Sequence, residues 1–167
     1  MSDALTEPDL TAGRPNTEKI KSRRRIAREF AVQGIYQWRV AGGSADFIEQ
    51  QLRESDDFKH IDIKFFTQAL HGAIQHSAAL EQAIQPYLDR SLNELSPVEA
   101  AILLLSAYEL IHHPEIPYRA IINEAIELAR TYGGTDGHKY VNGVLDKLAI
   151  QLRSVEIEAH KQAKKQI

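Results

Sequence analysis

Ten residues near the front of the chain, KIKSRRRIAR at positions 19–28, hold six of its twenty lysines and arginines: Lys19, Lys21, Arg23, Arg24, Arg25 and Arg28. Cations this closely spaced displace counterions from a nucleic-acid backbone, so the chemistry on offer is phosphate binding. A solvated helix end or a basic arm without a ligand is the bland alternative. Register favours the functional reading. At ~100° per residue, Arg25 shares a helical face with Glu29, Gln33, Tyr36 and Arg39, and Arg28 falls at its margin. A cation for phosphate, an amide for a base edge and a ring for stacking is the combination that holds single-stranded RNA.

A second candidate is YGGTDGHKY, residues 132–140. Structurally it reads as a glycine-rich turn between helices. Functionally, a helix beginning there offers free backbone N–H groups to a phosphate. Lys139 adds charge, and Tyr140 stands at the flank of a buried stripe, where its ring can serve as a stacking platform. Asp136 is ambiguous, because it can cap the helix yet would repel RNA.

No catalytic constellation emerges. The chain lacks H-E-x-x-H, G-x-S-x-G, a phosphate loop and G-x-G-x-x-G. His71 and His76 are five apart and do not share a helical face, while His112 and His113 are adjacent and diverge. Glu124 and Glu127 lack the histidines of a di-iron bundle and read as the polar face of a packed helix. No catalytic residue, metal site or cofactor is expected.

The elements that must position these residues are all helical. The spacing of Ala27, Phe30, Ala31, Gly34, Ile35 and Trp38 predicts a helix over 22–40, stopped by Gly42-Gly43. Ser44 caps a second helix over 44–54. A third starts near His60, buries Phe65, Phe66, Ala69, Leu70, Ala73 and Ile74, and breaks near Pro86. Ser96-Pro97-Val98-Glu99 is the clearest start signal, with a capping serine, a first-position proline and a glutamate three residues after the cap. The helix it opens, VEAAILLLSAYELI, is apolar almost all round and belongs at the centre of a bundle. The next begins at Pro117 and buries Ile121, Ile122, Ala125, Leu128, Ala129 and Tyr132. The last is capped by Thr135 or Asp136 and buries Val141, Val144, Leu145, Leu148 and Leu152. The fold class is therefore all-α, about seven helices in a single compact bundle.

Composition agrees with one globular domain. The 167 residues are 43% apolar and contain no cysteine, which removes disulfides, thiolate metal sites and cysteine nucleophiles. No run approaches the ~18 apolar residues of a membrane span, and the polar N-terminus lacks a secretory core, so a cytoplasmic protein is expected. Net charge is −3, but the ten-residue basic block carries +6 while the other 157 residues hold 14 basic against 23 acidic groups. That asymmetry, more than the sum, is the footprint of a nucleic-acid partner. We divide the chain into a disordered tail over 1–18, a helical domain over 19–153 and a charged tail over 154–167.

Three segments, RRRIAREFAVQGIYQW, LSPVEAAILLLSAYEL and the run from PYRAIINEAIELAR through TYGGTDGHKYVNGVLDKLA, together resemble the NusB family across roughly residues 23–150. The resemblance implies two helical subbundles and no enzymatic activity. It implies a transcription antitermination factor that binds boxA-type RNA jointly with NusE, a ribosomal protein, in the RNA polymerase antitermination complex. Carried onto matching positions, the RNA surface would include Arg24, Arg25, Arg28, Gln33, Tyr36, Asp136, Lys139 and Tyr140, with Arg23 beside them in the basic run. The partner surface would include Tyr87 and Glu99. The alternatives are a homodimerising structural module and an RNA-positioning module without antitermination activity.

Overall fold

The computed structural model describes residues 16–165, with side chains over 23–165. Eight α-helices hold most of these residues: α1 (Asn16–Ala41), α2 (Ala45–Leu52), α3 (Ile63–Gln75), α4 (Ser77–Ile84), α5 (Pro97–His112), α6 (Tyr118–Tyr132), α7 (Gly137–Leu152) and α8 (Ser154–Lys165). Short 3₁₀ turns fill Asp56–His60, Gln85–Tyr87 and Leu92–Glu94. The side chains of Lys19 and Lys21, and residues 1–15 of the expected tail, lie outside the described residues.

α5 explains the architecture. Residues 100–110 are all buried, as an all-round apolar helix requires. α1 and α3 pack on one part of α5 and on each other, with α2 closing that group; α6 and α7 pack on another part and on each other, and α4 joins them. Two subbundles thus share one helix. On the first side, Phe30, Phe58 and Phe66 meet edge to face, with centroids 5.1 to 6.4 Å apart. This is the favoured geometry of aromatic pairs.

Local chemistry sets the helix ends. Ser44 Oγ accepts from Phe47 N at 3.1 Å, and Ser96 Oγ accepts from Glu99 N at 3.2 Å. Gly42 and Gly43 end α1 with φ of 74° and 100°, a region that side-chain-bearing residues avoid. Three expectations need correction. The third helix breaks at His76, where φ is −101° and ψ is 16°, before the 3₁₀ turn that contains Pro86. Tyr132 is half exposed, because the last turn of α6 overhangs a groove. Leu152, at the end of α7, is 37% exposed.

Candidate nucleic-acid interface

The arginine block anchors α1 to the rest of the molecule. Arg23 donates to the carbonyl of Ile61 at 3.2 Å. Arg24 pairs at 3.4 Å with Asp62, which also caps α3 by accepting from Phe65 N. Arg25 grips Glu124 of α6 with two hydrogen bonds of 2.9 and 3.1 Å. That carboxylate pushes the Arg25 guanidinium pKa further up. Arg28 departs from expectation: it lies inside the protein, 5% exposed, with three bonds of 2.7 to 3.1 Å to the equally buried Glu109 of α5. The Phe65 ring covers it, with the guanidinium carbon 4.9 Å from the centroid. A helical wheel places Arg28 at the margin of a face, and the margin is where α3 and α5 close over α1.

Farther along α1, the exposed face is as expected. Gln33 and Tyr36 stand in solvent beside a groove of about 520 Å³. Its apolar lining includes Ile26, Phe30, Val32 and Val98, and Tyr132 reaches it from the end of α6. Glu29, also in the groove, is pushed up from its ordinary carboxylate pKa by burial, against the pull of Arg25. Burial, and then the Glu29 charge, raises the Tyr132 phenol. The groove therefore joins the face of α1 to the end of α6, just before the turn that precedes α7.

That turn gathers the remaining candidates. Asp136 occupies the cap position of α7 in a left-handed conformation, φ 62° and ψ 4°. Its carbonyl accepts from Lys139 N and Tyr140 N, but its side chain caps nothing. The carboxylate instead pairs with the Lys139 ammonium at 3.3 Å, both side chains being well exposed. Tyr140 packs its ring on the core and donates its hydroxyl to Asp89 at 2.9 Å. Burial, then this bond, raises the Tyr140 pKa. Asp89 is lowered to about 2 by its bonds from Arg90 and Tyr140.

The two expected partner residues border the same turn. Tyr87 is half-buried in a 3₁₀ turn that packs on α7. Glu99 lies against Gly137, the first residue of α7, so closely that a Cβ there would overlap its carboxylate. A side chain at 137 would push that carboxylate aside. Sequence reasoning missed Asp89 and Arg90, which sit in an irregular loop whose reach to Tyr140 spans 51 positions. It also missed Arg153, although a lone arginine closing an apolar helix was a usable signal.

The described residues thus form two helical subbundles on a shared core helix, with cationic, amide and tyrosine side chains along one face of α1. The chain belongs to the NusB family, whose description it matches over residues 25–150. A transcription antitermination protein NusB from Nitrosomonas eutropha is 63% identical over 139 residues, 83% of each chain. Its namesake from Nitrosospira multiformis is 66% identical over 132 residues, 79% of this chain and 84% of the relative. Among solved structures, T. maritima NusB superposes with a TM-score of 0.66 at 32% identity, covering 75% of this chain and 89% of that one. A crystal structure of antitermination factors NusB and NusE in complex with double-stranded RNA superposes at 0.67 and 23% identity, over 76% and 96%, which shows the shared fold.

Proposed function

We propose that this chain is a cytoplasmic transcription antitermination factor that binds boxA-type single-stranded RNA jointly with a NusE-type ribosomal protein, and that it performs no catalysis. The observation that carries the reading is the groove shared by α1 and the end of α6. Gln33, Tyr36 and Tyr132 line it, Arg25 is exposed on the same face of α1, and Lys139 and the half-buried Tyr140 follow one turn after Tyr132. Cations meet phosphates while the tyrosine rings accept unstacked bases. Arg23 and Arg24 border this surface, and their bonds to Ile61 and Asp62 leave donors free for a phosphate. Arg28 has a structural role in this reading. Tyr87 and Glu99 form the partner side, with the acidic Glu99 suited to a basic ribosomal protein.

The test is a titration of labelled single-stranded boxA RNA, with a scrambled RNA and a boxA duplex as controls, with and without the NusE-type protein. The reading requires boxA to bind more tightly than the scrambled strand, and more tightly still with the partner present. Equal binding of boxA and scrambled RNA in both conditions would sink it.

A further inference from the structure

Asp89 and Arg90 form a small device beside Tyr140. The Tyr140 hydroxyl donates to Asp89 Oδ1 at 2.9 Å, and the Asp89 backbone N–H donates back to that hydroxyl at 3.4 Å. Arg90 grips the same carboxylate through Nε and Nη2, at 2.9 and 3.2 Å. Its guanidinium carbon is thereby held 5.8 Å from the Tyr140 ring centroid. The Arg90 side chain is half exposed.

As a staple this arrangement would do little. Residues 89 and 90 are neighbours, so their ion pair ties no two elements together, and exposed pairs contribute weakly to stability. What it does is hold an arginine fork over the open side of an aromatic ring whose other side packs on the core. The pairing also repeats that of Asp136 with Lys139, the residue immediately before Tyr140. Each cation at this turn is parked on an exposed carboxylate that a phosphate can displace.

We propose that Arg90 binds the phosphate of the same nucleotide whose base stacks on Tyr140, which makes the α4–α5 loop part of the RNA surface. This rests on the RNA reading given above. A base that reaches the ring meets the guanidinium held over it, and the phosphate of that nucleotide, one sugar away, falls within reach of the fork once it leaves Asp89. Arginine suits the position because its planar fork matches two phosphate oxygens. Asp89 acts as a positioning residue, and its lowered pKa keeps it charged throughout the neutral range.

The experiment is fluorescence anisotropy with labelled single-stranded boxA RNA across a KCl series, using the full chain and the variants Arg90→Ala, Arg90→Lys, Tyr140→Ala and the Arg90→Ala/Tyr140→Ala double. Circular dichroism checks that helicity is kept. Arg90→Ala should weaken binding roughly fivefold and make the salt slope shallower by about 0.7, the value for one phosphate on a single strand. Arg90→Lys should keep the slope but recover only part of the affinity. The double variant should lose less than the product of the two single losses, because both residues hold one nucleotide. If Tyr140→Ala weakens binding while Arg90→Ala matches wild type in affinity and slope, this inference fails and the RNA reading stands. If neither change matters, the RNA reading of the turn fails with it. Losses that simply multiply would assign the residues to separate nucleotides and overturn the shared contact. Arg90→Ala that weakens only the NusE-type partner would move the loop to the protein interface, also overturning it.

Discussion

Arg25 and Arg28 are three residues apart on one helix, yet one guanidinium stands 59% exposed beside Glu124 and the other is sealed against Glu109. Periodicity finds the face of a helix but not what packs on its margin, so the two looked alike in sequence. A signal was present in the partner. Glu109 is a carboxylate within the apolar, fully buried stretch of α5, and a buried charge demands an opposite one. Arg28→Ala should therefore cost about 3–5 kcal/mol in urea unfolding, because it strands Glu109. The double change Arg28→Met with Glu109→Leu should recover most of that loss. Its RNA salt slope should equal wild type; a slope shallower by about 0.7 would restore Arg28 to the RNA surface. Asp136 shows another limit of sequence. Its type fits a cap, but the left-handed backbone turns the carboxylate toward Lys139. Asparagine tolerates that backbone well. Asp136→Asn should thus leave the fold intact, release Lys139 and tighten boxA binding with a steeper salt dependence. Weaker binding at matched salt would mean that the carboxylate accepts hydrogen bonds from a base.

At the scale of elements, what local chemistry dictates was legible. Ser44, Ser96-Pro97 and Gly42-Gly43 act within one turn, and the structure uses each at its expected place. The break at His76 and the packing of α8 depend on distant contacts and were not. α8 is anchored largely by two residues at its start. Arg153, 7% exposed, donates to the carbonyls of Leu110, Ile116 and His113 at 2.9 Å each, and to Glu156 at 2.6 Å. Glu156 in turn accepts from Tyr118 N, the first residue of α6. One arginine therefore closes the end of α5 and seats the start of α6. Arg153→Ala should cost about 2–4 kcal/mol, since several buried carbonyls lose their donor. Arg153→Lys should rescue little, because an ammonium cannot span three carbonyls set around a planar fork. Urea midpoints measure both; a lysine variant as stable as wild type would show that charge alone suffices.

For the whole molecule, the decisive feature is that both subbundles are built on the same helix. Nothing in the sequence separates the halves by a linker, and the almost uninterrupted apolar character of α5 already required neighbours on all sides. That shared core keeps the α1 face and the α6–α7 turn in fixed relation, so under the proposed function one RNA is held by both only while α5 is intact. The two halves should consequently unfold as one cooperative unit. Trp38, the single tryptophan, lies on α1 and reports the first subbundle, whereas far-ultraviolet circular dichroism reports all helices. The two probes should give coincident urea transitions in the wild type. Leu104 is fully buried in α5, and Leu104→Ala should cost about 2–5 kcal/mol. Because the cavity opens in a helix common to both halves, it should move both transitions by the same amount without changing their steepness. A tryptophan transition that held its midpoint while the dichroism split into two steps would mean that the subbundles fold independently. The RNA surface would then depend on docking of two separate units instead of on a continuous core.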